Sequence, residues 1–214
     1  CENLKDITIS NSVTTIGRKA FYYCKSLETI TIPDSVSFIG GGAFEACVEL
    51  KNITLSKSVK SIEHFAFSGC KKLSSINLPD SVTFIGGCSF EDCESLENIV
   101  IPDSVVSIEG QAFVGCKNLV SVSISDSVTS IGDSAFEDCE NLMAINIPKS
   151  VTTIGNDAFS DCENLMGMTI PDSVRFIGEE AFDDCHKNFV ISASEGSYAH
   201  KYATINDIKF KIAE

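Results

Sequence analysis

The sequence predicts a solenoid of eight stacked 23-residue coils, mostly β, with one short strand per coil lined up in a parallel sheet. Three observations lead there. Cysteine recurs at residues 1, 24, 47, 70, 93, 116, 139, 162 and 185, always 23 apart, and self-similarity at a fixed period of this size marks a repeat architecture. Counting each cysteine as position 1, Leu holds position 4, Ser position 12, Val position 13, Ile position 16 and Phe position 21 in all eight units. Apolar residues also fill positions 7 and 9, the alternation of a strand that turns every second side chain inward.

Each part of the coil follows from its residues. Phe21, Cys24 and Leu27 stand three apart, which suits a tight helical or 3₁₀ turn. Ile30 and Ile32 then alternate as a strand. Pro33-Asp34-Ser35 is turn chemistry, with φ preset by proline and side chains able to bond nearby backbone. Val36 and Ile39 bring the chain back to the core before Gly40 and the next Ala-Phe pair. Glu63 and Glu109 occupy the glycine position 17 in two coils, so that position is not read as obligatorily left-handed. One coil cannot bury its own apolar face. Stability must come from neighbouring coils, and the ends need caps. Strands about 4.8 Å apart give eight coils a length of roughly 40 Å.

The eight repeats fill residues 1–184. From Cys185 the Val-x-x-Ile-Gly and Ala-Phe signals are missing, and residues 185–214 read as a C-terminal cap: a short helix over 197–204 and a strand over 208–212. The N-terminal edge shows no equivalent. Upstream repeats or another subunit are expected against it.

Composition narrows the function. The 214 residues are 43% apolar, enough for a sizeable core, and carry a net charge of -14. That charge argues against nucleic acid, whose phosphates need a basic face, and equally against anionic membrane surfaces. No apolar run is long enough to span a bilayer, and no targeting segment is visible. The charge is uneven: residues 1–92 hold 9 basic and 10 acidic groups, residues 93–184 only 3 basic and 17 acidic.

The cysteine ladder reads as packing. Parallel rungs about 4.8 Å apart sit slightly too far for a disulfide, whose Cβ atoms lie about 3.5–4.5 Å apart. Cys88 stands outside the ladder at position 19, where other coils carry Lys, Gly, Phe, Gln, Ser, Asp and Glu. Such a mixture suggests solvent, so Cys88 is expected to be the exposed thiol. The serine column at position 12 has no accompanying histidine to act as base and is read as satisfying backbone at the turn. No zinc-ligand spacing or phosphate-binding glycine motif appears. No enzyme activity, cofactor or metal is expected.

These units resemble the BspA-like, or Treponema pallidum type, leucine-rich-repeat family. The pattern C/N-x-x-L-x-x-I-x-I/L-P-x-S-V-x-x-I-G-x-x-A-F-x-x is met across residues 1–184, and the tail from "GSYAHKYA" to "IKF" is similar to that family's ending. Ser10, Ser56 and Ser125 depart from it at the proline. The resemblance implies a curved right-handed leucine-rich-repeat solenoid with its parallel sheet on the concave side. It also implies extracellular or cell-surface microbial proteins that adhere to host matrix or cell-surface proteins without catalysis. A structural spacer or self-assembling segment of a longer repeat protein is the alternative.

Two surfaces are candidates for binding. Strand alternation puts positions 6 and 8 on the open face of the sheet, with position 8 reading Thr31, Thr54, Asn77, Val100, Ser123, Asn146 and Thr169 along the stack. This strip becomes more apolar toward the C-terminal end, where Val120, Met143 and Met166 join it at position 5. Asn52-Ile53-Thr54 is a glycosylation sequon on the same strip. The second surface is an acidic edge of Glu91, Asp92, Glu137, Asp138, Asp161, Asp183 and Asp184, suited to a basic partner or a loosely held cation.

Overall fold

The computed structural model describes residues 1–213, and the chain winds through them as a parallel β-solenoid of about nine turns. Strand Thr29–Thr31 pairs with Asn52–Thr54, Asn98–Val100 with Ser121–Ser123, and Gly167–Thr169 with the following coil, each time in a register of 23 residues. A slip of one residue would turn Ile30 and Ile53 out of the core, which fixes that register.

Two rows of strands run down the stack. Besides the expected row at positions 6–8, the arm at positions 15 and 16 pairs in its own parallel sheet, as in Ser130–Ile131 with Thr153–Ile154. Between the two rows lies a continuous core. The position-21 phenylalanines from Phe21 to Phe182 stack face to face, with centroids 5.2 to 5.7 Å apart. From the second coil on, the Leu and Val columns and the Ile columns at positions 7 and 16 are fully or nearly fully buried beside them. Each such side chain contributes about 1.5–3 kcal/mol when fully withdrawn from water. The first coil has a neighbour on one side only, and its Ile7 is 38% exposed.

The Ala-Phe segment is turned, as its spacing of three predicts, but it is no continuous helix. Amides at positions 20, 22 and 1 donate to carbonyls three residues back, as Ala66 does to Glu63, Ser68 to Phe65 and Cys70 to Phe67. The intervening amides point along the stack instead: Phe65 to the Gly87 carbonyl, Phe67 to Ser89, Gly69 to Glu91. Left-handed backbone at positions 19 and 23 of every coil produces this alternation, from Lys19 and Tyr23 to Glu180 and Asp184. Asp, which tolerates that conformation better than most residues, fills position 23 in four coils.

Position 17 is not left-handed. Glycine is there because coils approach closely: a Cβ on Gly86 would lie 2.7 Å from the His64 amide nitrogen of the preceding coil. Where glutamate replaces it the stack gives way. Gly86 donates to the Ile62 carbonyl at 2.8 Å, but Glu109 reaches Ile85 only at 3.4 Å. The second sheet is interrupted between Phe38–Ile39 and Ser61–Ile62, just before Glu63.

The stack continues past residue 184. Cys185, Phe189, Ile191 and Ala193 prolong the inward columns, and strand Val190–Ala193 extends the sheet before the chain departs. Helix Tyr198–Ile205 follows, N-capped by Ser197, whose hydroxyl accepts from the His200 amide. It lays Tyr202 edge-on against Phe182. Strand Lys209–Ile212 then pairs with Val190–Ala193. The final residue of the expected 185–214 cap lies outside the described residues.

Candidate functional site

The seven strip residues Thr31, Thr54, Asn77, Val100, Ser123, Asn146 and Thr169 are all exposed on one face of the first strand row. Pairing sets Thr31 beside Thr54 and Val100 beside Ser123, so consecutive coils build one column. Position 6 forms a second, in which the Ser121 hydroxyl donates to Asn98 Oδ1 at 2.6 Å. Asn52 and Thr54 of the sequon both face solvent.

The position-5 column changes character along the stack. In the first coils it is charged, and Lys51 Nζ lies 2.7 Å from Glu28 Oε2. At the C-terminal end it turns apolar: Val120, Met143 and Met166 follow one another on three coils, the two methionines each 60% exposed. Beside them the floor is small, with Ala144 and Gly167 at position 6. Asn118, Asn141 and Asn164 flank the other side as a ladder, each amide donating to the carbonyl of the one before at 3.1 and 3.3 Å. Across the strip, a groove of about 1080 Å³ is lined by Asn146, Thr169, Asp126, Lys149, Asp172 and Ala213. The column, the strip and the groove therefore meet on the same coils.

The acidic edge has a partly structural origin. Asp92, Asp138, Asp161 and Asp184 are the left-handed residues at position 23. Glu91 accepts from the Ser68 hydroxyl at 3.0 Å and Asp161 from Ser160 at 3.3 Å. Glu137 is half-buried and Asp183 exposed. Among the described residues no three carboxylates, thiols or imidazoles converge as metal ligands would. Most of the ion pairs join like positions of adjacent coils, as in Lys71–Glu94 at 2.6 Å and Lys72–Glu49 at 2.7 Å. Sequence reasoning missed these pairs and the asparagine ladder. The signal was there in columns 2 and 3, read down the stack rather than along the chain.

Cys88 corrects an expectation. It is 9% exposed, not a surface thiol. Its left-handed backbone, at φ 55°, lays the side chain along the stack, and Sγ meets Gln111 Oε1 of the next coil at 3.3 Å. Burial raises its pKa, helped by the nearby Glu91. The exposed cysteine is Cys1.

The ladder cysteines are free thiols with a bonding role beyond packing. From Cys47 to Cys185, each Sγ lies 3.1 to 3.3 Å from the phenylalanine carbonyl 26 residues back, as Cys93 does from Phe67. Burial pushes Cys47 and Cys185 up to about 12 and holds Cys93 well above its ordinary range. Such thiols are poor nucleophiles and metal ligands, since both roles need the thiolate. Most of the serine column bonds backbone in the same inter-coil way, as Ser35 does to the Val13 carbonyl at 2.7 Å and Ser81 to Val59 at 2.6 Å, whereas the buried Ser173 hydroxyl has no partner.

Comparison with known proteins agrees with this architecture. The model of the BspA type leucine-rich repeat region matches residues 1–119 and 84–211, with six copies. A leucine-rich-repeat protein of T. pallidum is 38% identical over 72% of each chain, with a TM-score of 0.69. One from Bacteroides ovatus, 22% identical over 94% of this chain and 88% of its own, shares the fold with a TM-score of 0.65. No curated protein matches the chain. With its family model covering nearly every coil, the chain belongs to the BspA-type leucine-rich-repeat family.

Proposed function

We propose that this chain is a non-enzymatic adhesion or ligand-binding module, working outside the cell or at its surface, that grips a protein partner with the C-terminal end of its strip. One observation carries the reading: the exposed Val120-Met143-Met166 column on a chain whose corresponding positions elsewhere are mostly charged or polar. Methionine is flexible and polarisable and suits a surface that adapts to an apolar partner side chain. The surrounding coils hold 17 acidic against 3 basic groups. The fitting partner therefore offers apolar anchors flanked by lysine or arginine, steered in by opposite charge. Ser123, Asn146 and Thr169 supply hydrogen bonds beside the column, and the groove receives the segment's far side.

The test is a surface plasmon resonance screen of the folded chain against matrix and cell-surface glycoproteins. A binder should lose at least tenfold in affinity in the Met143→Ser/Met166→Ser double variant, whose melting temperature stays unchanged. Its association rate should fall as salt rises. A binder indifferent to the double variant, or no binder in the screen, rejects the strip as the site.

A second reading is a spacer that assembles with further repeats or another subunit. Light scattering separates the two readings: concentration-dependent oligomers without partner capture favour the spacer.

A further inference from the structure

We propose that the second coil carries a carbohydrate subsite, a slot one coil wide that takes a single neutral pyranose ring. Columns 18 and 19 alternate in bulk over the first four coils: Arg18-Lys19, Gly41-Gly42, His64-Phe65, Gly87-Cys88. The paired glycines leave a gap between the side chains of coils 1 and 3, which stand roughly 10 Å apart, two strand spacings. A cleft of about 530 Å³ opens there, walled by Arg18, Lys19, Glu45, Glu63 and Phe65 over the Gly41-Gly42 floor.

The glycine floor lies directly beneath the polar walls of the cleft. Gly42 has a φ of +63°, and a Cβ on it would lie 2.7 Å from Glu45 Oε2 and 3.3 Å from Lys19 Cγ. Lys19 and Glu45 thus lie paired across the floor, Nζ to Oε2 at 3.1 Å. The carbonyl of His64 takes the Gly42 amide at 2.9 Å. Its imidazole serves the other side, where Nδ1 accepts from the Gly87 amide at 2.9 Å.

Phe65 is the second observation. It is the one aromatic residue of column 19, held at φ 59° and 44% exposed. A bulky side chain with positive φ is an outlier, and burial does not compensate for it here. The stack imposes that turn on whatever residue fills column 19, and in this coil it stands an exposed aromatic ring at the wall of the cleft. The negative face of the ring attracts the slightly positive C–H face of a sugar. The Lys19–Glu45 pair sets donors and acceptors side by side, as adjacent hydroxyls require, and Arg18 and Glu63 extend both sets. Two cations balance two carboxylates, so an ionic ligand would meet a like charge, whereas a neutral polyol meets partners only. The slot lies apart from the Met143-Met166 column, and the fate of either site leaves the other standing.

The experiment is an amide ¹H–¹⁵N titration of the folded chain with the methyl glycosides of glucose, galactose, mannose and N-acetylglucosamine at millimolar concentrations. Saturable shifts at the amides of Gly41, Gly42 and Phe65 are expected with at least one of them. Phe65→Gly should abolish those shifts while raising the melting temperature, because glycine relieves the left-handed strain. Gln111→Ala, in the same column two coils on, should leave them intact. The proposal is overturned by the absence of saturable shifts with all four glycosides, by shifts centred elsewhere, or by unchanged binding in Phe65→Gly.

Discussion

A methyl group placed on Gly132 would fall 2.5 Å from the amide nitrogen of Gly110 on the preceding coil. The coils are held that close by the bond from the Gly132 amide to the Ile108 carbonyl at 2.9 Å. Gly132→Ala must therefore push two coils apart, as Glu109 does where its own bond stretches to 3.4 Å. Overpacking of this kind costs about 1–3 kcal/mol. Gly17→Ala, at the same position on the first coil, meets nothing within 4 Å and should stay within about 0.5 kcal/mol of the parent. Urea midpoints for the two variants give the comparison, and equal effects would refute close approach as the reason for this glycine.

Ser89 replaces the alanine of position 20 and is fully buried, with no partner for its hydroxyl. An unpaired buried hydroxyl costs about 1–3 kcal/mol in mutational series. Ser89→Ala restores the residue of the other coils and should stabilise the protein by about 1 kcal/mol, seen as a higher urea midpoint at constant slope. A destabilised variant would mean that the hydroxyl has a partner, such as an ordered water.

The columns could be counted from the sequence because period 23 returns each side chain to the same surroundings. Phe113 and its neighbours, the Val and Ile positions, and the serine hydroxyls all followed from that. Backbone conformation was harder. Position 19 accepts Lys, Phe, Cys, Gln, Ser, Asp and Glu, and that mixture points to exposure. Lys19, Phe65, Gln111 and Glu180 are exposed there, but the left-handed turn that the stack imposes on the column carries Cys88 under Gln111. The distance that demands glycine at position 17 lies between coils, where no spacing along the chain reveals it. Along the chain, the "IGGG" of residues 39–42 shows only small residues beside the position-17 glycine. Reading columns 18 and 19 down the stack would have shown large and small coils in alternation. The apolar turn of the strip at Met143 and Met166 was legible, since exposure there follows from strand alternation alone.

Phe113 stacks on Phe90 and Phe136 with both centroid distances at 5.2 Å. Phe113→Ala leaves a cavity in the middle of a solenoid that cannot collapse without shifting two neighbouring coils, and about 3–5 kcal/mol should be lost. Phe21→Ala removes a half-buried ring with one stacking partner and should cost less than half as much. Thermal unfolding of both variants checks the gradient. A loss under about 0.5 kcal/mol at Phe113 would contradict the core column.

The thiol ladder predicts an alkaline limit to stability. From Cys47 to Cys185 burial raises the folded-state pKa, to about 12 at either end of that run. An unfolded cysteine titrates at about 8.5. Below that value both states keep their protons, and the ladder adds no pH dependence. Above it the unfolded chain releases protons that the folded chain retains, so the unfolded state binds fewer and stability falls as pH rises. Each thiol adds up to about 1.4 kcal/mol per pH unit to that fall, and several act together. The melting temperature should hold steady from pH 7 to about 8.5, then drop steeply and reach cooperative unfolding well before pH 12. Lysines and tyrosines also titrate in this range, so the Cys70→Ala/Cys139→Ala variant isolates the effect: its alkaline slope should be shallower, whatever its starting stability. In the native protein at neutral pH, a thiol reagent should modify Cys1 quickly and Cys88 and the inner rungs only as the fold opens. Rapid reaction of several inner rungs, or identical alkaline slopes for parent and variant, would show that these sulfurs are not sealed between the coils.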